Sequence, residues 1–197
     1  MTNIYKTYIN ELVIYKFPSE QLIRFIESNN EDDGINVLLN NIVWFITNNH
    51  FDLLKPLYGQ NPDLIKYNNW DVVRCAASNG YLDTLKYMHS ITDISDGIKS
   101  SDWYAVRRAA SNGHLDILEY FHSIMDISDG IKARDWGAVR YAAYNGNLDT
   151  LKYLHSLKDI SDGLKACYWD AVREANTEMK QWIKTTFPEL MKQYKND

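Results

Sequence analysis

Cysteine is nearly absent from this chain. Only Cys75 and Cys167 occur among 197 residues, far apart and in no Cys-x-x-Cys spacing, which excludes a disulfide framework or thiolate zinc motif and suits a reducing compartment. Proline is scarce: four are present and none lies between 69 and 167, so nothing there breaks a helix. The longest apolar run, Ile42 to Ile46, is far below the roughly 20 residues of a membrane span. The N-terminus also lacks the basic-then-apolar pattern of a secretory leader. The expectation is a cytoplasmic protein without membrane contact. Basic charge is in deficit, 21 Lys and Arg against 26 Asp and Glu, which argues against nucleic acid as a partner. There is no glycine-rich phosphate loop, Gly-x-Ser-x-Gly or His-Glu-x-x-His, so no cofactor and no enzymatic activity are expected. With 45% hydrophobic and 13% aromatic residues, the chain is too apolar for disorder and suits one domain or a short solenoid.

Four tryptophans, Trp70, Trp103, Trp136 and Trp169, stand 33 residues apart. Residues 69–101 and 102–134 share 22 identities, as do 102–134 and 135–167, so the chain is built from internal repeats. A degenerate copy over about 38–68 and a fifth over 168–197 suit capping units, whose outer faces no neighbour covers. The repeat domain then covers 36–197, and residues 1–35 form a separate N-terminal segment.

Within a unit, Asn69, Asp102 and Asp135 precede the tryptophan, where a side-chain oxygen is expected to cap a helix. Trp70, Val73, Ala76 and Ala77 fall on one helical stripe, and the paired alanines allow close approach. Asn79-Gly80, Asn112-Gly113 and Asn145-Gly146 tolerate positive φ and reverse the chain. A second helix follows, with Leu82, Leu85 and Met88 or their equivalents buried and Asp83, Asp116 or Asp149 in its first turn. Such helix pairs bury their apolar faces by stacking, which predicts an all-α solenoid.

A 33-residue helix-turn-helix unit with Ala-Ala, two residues, Gly, and then Leu-Asp in a second helix resembles the ankyrin repeat. The likeness is specific over 69–167, with one departure: the family's Thr-Pro-Leu-His opening is replaced by Asp71-Val72-Val73-Arg74 and its equivalents. The usual hairpin finger between repeats is therefore in question at Asp93-Ile94-Ser95-Asp96-Gly97, where a tight turn is the alternative. The resemblance implies a non-catalytic module that binds another protein. Asn-rich composition, with 18 asparagines, and near-identical copies are similar to ankyrin proteins of large DNA viruses infecting amoebae, or of intracellular bacteria. That likeness implies action in a host cytosol.

Candidate chemistry reduces to structure. His89, His122 and His155 recur every 33 residues, and active sites are not built in triplicate along a rod. His89 shares the stripe of Leu82, Leu85 and Met88 and reads as a partly buried, hydrogen-bonded structural residue. Zinc ligands meet at about 2 Å from one ion, whereas stacked repeats stand about 10 Å apart, so no metal is expected. The three Asp-Ile-Ser-Asp-Gly segments lack the EF-hand glutamate and glycine positions and read as turns, with Asp or Ser accepting backbone N–H bonds and Gly left-handed. The ladder Arg74, Arg107, Arg140 and Arg173 reads as bonding loop carbonyls or Asp. Cys75 and Cys167 lack the partners of a nucleophile.

Positions that change between copies are those that stacking leaves open. In the first helices they are Asp71, Cys75 and Ser78, then Tyr104, Arg108 and Ser111, then Gly137, Tyr141 and Tyr144, then Asp170 and Glu174. They recur at i, i+4 and i+7, about 150° from the buried stripe, and are expected to form one solvent-facing surface. Arg134, at a loop end, also varies. Tyr and Arg are enriched in binding hot spots, so Asp71, Cys75, Tyr104, Arg108, Arg134, Tyr141, Tyr144, Asp170 and Glu174 are the candidate partner-binding residues of a monomer. In residues 1–35, Phe17-Pro18-Ser19-Glu20 with Leu22, Ile23 and Ile26 resembles the opening of an F-box, which implies an alternative role as an adaptor recruiting a ubiquitin ligase or other host machinery.

Overall fold

A computed structural model describes residues 37–48, 50–166 and 177–194. The F-box-like segment and the candidates Asp170 and Glu174 lie outside the described residues. The chain divides into two compact units, one ending at Tyr67 and one beginning at Asn68. The described secondary structure is entirely helical, and no described helix is long and apolar enough to cross a membrane. In the first unit, α1 (Ile42–Thr47) and α2 (Lys55–Gln60) are joined by a 3₁₀ turn, Phe51–Leu54, and followed by another, Pro62–Lys66. Phe45, Ile46, Leu54, Tyr58 and Ile65 form its core.

The second unit holds the repeats: α3 (Tyr67–Asn79), α4 (Leu82–Ile91), α5 (Ser95–Asn112), α6 (Leu115–Ile124), α7 (Ser128–Tyr144), α8 (Leu148–Leu157) and α9 (Ser161–Lys165). After 166, α10 (Thr177–Thr186) and α11 (Pro188–Tyr194) complete the described chain. Each repeat buries Val-x-x-Ala-Ala from the first helix and two large apolar groups from the second: Leu85 and Met88, Leu118 and Phe121, Leu151 and Leu154, all fully buried. Each such large side chain contributes about 1.5–3 kcal/mol.

The tryptophans occupy an unexpected conformation. In α5, Ser100 is extended, and Ser101, Asp102 and Trp103 then have φ of 51°, 55° and 58°. Asn68, Asn69 and Trp70 repeat this in α3, and Arg134, Asp135 and Trp136 in α7. Each is one turn of left-handed helix, and the right-handed first helix starts only after the tryptophan. The expectation that Asn69, Asp102 and Asp135 cap a helix is therefore corrected. Their tolerance of positive φ is what the position uses, while their side chains bond Ser101, Arg134 and Arg140 respectively.

Left-handed conformation costs an L-residue about 1–2 kcal/mol, or about 3–6 kcal/mol per turn. Two contacts offset it. The indole packs on the glycine of the next Asp-Ile-Ser-Asp-Gly segment: a Cβ on Gly97 would stand 2.8 Å from Trp70 Cε3, and one on Gly130 would stand 2.7 Å from Trp103 Cε3. On Gly163 a Cβ would meet Trp136 Cβ at 3.0 Å. Arginine then clasps the turn: Arg74 donates to Asn68 O at 3.2 Å, and Arg107 to Asp102 O at 2.9 Å and Ser101 O at 3.2 Å. Half-burying an indole gives about 2–3 kcal/mol, and a hydrogen bond to a charged group about 1.5–3 kcal/mol.

Where a hairpin finger would stand, the chain forms a short helix. Asp93 Oδ1 accepts from the Ser95 N–H at 2.9 Å, and Asp126 and Asp159 do the same for Ser128 and Ser161. Ile94, Gly97 and Ile98, at i, i+3 and i+4, are buried, as are their equivalents. The segment is the expected Asp-capped turn, but its glycine is not left-handed: the positive-φ glycines are Gly80, Gly113 and Gly146, in the Asn-Gly turns. Small size, which admits the indole, is what Gly97 and Gly130 supply. In those turns the asparagine also ties repeats together. Ser78 O accepts from Asn112 Nδ2 at 2.6 Å, and Ser111 O from Asn145 and Asn147, both at 2.7 Å, satisfying carbonyls at the preceding helix end.

Two outcomes are expected. Gly130→Ala loses about 1–3 kcal/mol by overpacking against Trp103, and Asp102→Val falls below wild type in chemical denaturation while Asp102→Gly matches or exceeds it. A valine variant as stable as the glycine one would refute the left-handed turn. Hydrogen bonds from Ser128 and from Ser95 hold the Asp126 and Asp93 carboxyls below their ordinary value of 3.8, and the Ser161 backbone N–H does so for Asp159. The resulting stabilisation is present above about pH 4 and disappears as pH falls through the lowered values. Replacing all three by Asn, which still accepts the backbone bond, flattens the decline in melting temperature between pH 5 and pH 2.

Candidate partner-binding face

The first helices, once released from their left-handed turns, set out the variable positions side by side. Tyr104 opens the first right-handed turn in α5 and lies among three guanidinium groups. The Arg108, Arg107 and Arg74 Cζ atoms stand 5.3, 5.7 and 5.8 Å from its ring centroid, within cation–π range. Arg108 Nε also donates to the Tyr104 hydroxyl at 3.1 Å, which leaves the phenolic proton to be donated elsewhere. Gly137, where the other copies carry Asp71 and Tyr104, makes room for this cluster: a Cβ there would stand 3.0 Å from Arg107 Cδ. Arg107 is held below the ordinary guanidinium range, first by burial and then by the charge of Arg134, with Asp102 opposing.

Asp71 and Cys75 occupy the equivalent face of α3 but are half-buried. Asp71 pairs with Arg74 at 3.1 Å and accepts from Cys75 Sγ at 3.6 Å. Burial pushes the Cys75 thiol up to about 12, helped by the Asp71 charge and opposed by Arg74. Arg134 is exposed and pairs with Asp102 across successive left-handed turns at 2.7 Å. Tyr141 and Tyr144 on α7 are 50% and 64% exposed.

The surface is not open throughout, as the periodicity had implied. Ser111 is 4% exposed because Asn145 reaches over from the next repeat to its carbonyl and hydroxyl oxygens, and Gly137 is buried. Tyr104 is brought together with Arg108, whereas Tyr141 and Tyr144 stand in solvent. Arg74 and Arg107 are neighbours of the face that sequence reasoning assigned only to structure. The signal was the pair Arg107-Arg108, adjacent in sequence, of which only the first recurs.

The recurring histidines are structural. His89 Nδ1 lies 2.8 Å from the Tyr120 hydroxyl, whose phenol is pushed up by burial. His155 packs edge-on against Trp182 and Phe187, with centroids 6.1 and 4.8 Å away, and His122 is exposed. Among the described residues no group of three or more His, Cys, Asp or Glu is placed to hold a metal ion.

These stacked helix pairs define a repeat scaffold for protein–protein interaction. The model of the family of ankyrin repeats, in three copies, matches residues 73–166, and this segment belongs to the ankyrin repeat family. Among curated proteins and solved structures nothing matches the chain.

Because the Cys75 thiolate forms only near pH 12, iodoacetamide labelling of a Cys167→Ser variant is expected to accelerate about tenfold per pH unit from pH 8 to 11 without a plateau. An inflection near pH 8.5 would show an ordinary exposed thiol.

Proposed function

We propose that the chain is a non-catalytic scaffold that grips one partner protein through the first-helix face, with Tyr104, Arg108, Tyr141 and Tyr144 as its centre. Arg134 lies at the turn edge, and Asp71 and Cys75 at one margin. The observation carrying this reading is the pair Tyr141 and Tyr144. Among the described residues of the repeat unit they are the large apolar side chains left exposed, and they sit at positions that differ between otherwise near-identical copies. Tyrosine supplies large, rigid contact area at low entropic cost, so leaving two in water fits a surface completed by another molecule. We read the scaffold as acting as a monomer in a cytosol, which the scarcity of cysteine supports.

The test is capture of partners by the immobilised chain, with mass spectrometry as readout. Tyr141→Ala with Tyr144→Ala is expected to weaken capture at least about tenfold while leaving stability within about 0.5 kcal/mol of wild type, as for surface substitutions generally. Undiminished capture by this double variant would reject the face.

A further inference from the structure

The chain carries an overall charge of -5, yet the face described above has the opposite sign. Across residues 68–79, 101–112 and 134–145, the left-handed turns and first helices contain five arginines, three aspartates, and no lysine or glutamate. All three aspartates are already committed: Asp71 to Arg74, Asp102 to Arg134 and Asp135 to Arg140. Arg107 and Arg108 have no carboxylate within ion-pairing distance among the described residues. Arg107 spends two of its nitrogens on turn carbonyls. Arg108 is exposed and spends only Nε, on the Tyr104 hydroxyl, so its terminal nitrogens face solvent as a fork suited to a carboxylate. Tyr104 keeps that fork oriented and adds its own O–H as a third donor beside it.

From this juxtaposition we infer that the occupant of the first-helix face is an acidic peptide segment of the partner protein, one carboxylate of which is received by Arg108 and the Tyr104 hydroxyl. The inference rests on the reading of this face as partner-binding and adds to it the chemistry of the ligand. Nucleic acid is the less favoured polyanion, because the net negative chain repels a long phosphate backbone while the positive excess is only two charges wide. The contact is electrostatic at an exposed rim, so it weakens with salt.

The experiment is fluorescence anisotropy of the full chain with a fluorescein-labelled dodecapeptide of alternating Glu and Ser, compared with its Gln counterpart and with a twelve-nucleotide oligothymidylate. The Glu peptide is expected to bind saturably, at least tenfold more tightly than the Gln peptide, and to weaken between 50 and 300 mM salt. Arg108→Glu should abolish binding without moving the melting temperature, and Arg108→Lys should retain only part of it. Equal binding of Glu and Gln peptides, indifference to Arg108→Glu, or tighter binding of the oligothymidylate would overturn the inference. A captured partner lost with Tyr141→Ala and Tyr144→Ala but kept with Arg108→Glu would leave the face in use and reject its acidic ligand.

Discussion

One contact governs the repeat unit: a tryptophan indole laid on a glycine of the following short helix, delivered there by three consecutive left-handed residues. Right-handed backbone would carry the side chain away along the first helix. The left-handed turn ends the short helix, changes the chain's direction, and lets the right-handed first helix start afresh. Its conformational cost is met across the boundary between repeats, by a glycine of the following copy and by an arginine reaching back over the turn carbonyls. A unit by itself lacks that glycine, which makes each left-handed turn dependent on its neighbour.

The same device explains the departure from the family pattern. Without the proline-containing opening, the first helix needs another means of fixing its start, and tryptophan, left-handed turn and arginine together provide it. A finger of extended chain is then unnecessary, and a turn of helix with Ile94, Gly97 and Ile98 on one side fills the space. Asparagine in the Asn-Gly turns completes the stacking by bonding the exposed carbonyls of the preceding helix, so every conserved feature of the repeat serves either the Trp seat, the turn ladder or the aliphatic core.

The candidate site borrows from this framework. Arg74 and Arg107 are in place because the turns require them, and the one copy that adds a second arginine and a tyrosine turns a structural row into a cluster with positive charge to spare. Gly137 opens the neighbouring copy beside it, while Tyr141 and Tyr144 extend apolar area away from it. Scaffold residues hold the cluster rigid, and rigidity lowers the entropic cost of binding.

The sequence by itself determined the repeat length, the helix pair, the buried aliphatic stripe and the positions free to vary, since each leaves a period that survives without coordinates. The Asp-capped turns and the bonding of arginine to loop carbonyls were legible for the same reason. The left-handed turn was decided only by tertiary structure: Asp before Trp looks like a helix cap, and what selects the alternative is a glycine 27 residues away. The true role of that glycine, the short helix in place of a finger, the burial of Ser111 and the gathering of Arg74 and Arg107 around Tyr104 were hidden likewise. Each depends on which atoms of one copy approach the next, a relation between distant parts of the chain that local pattern does not carry.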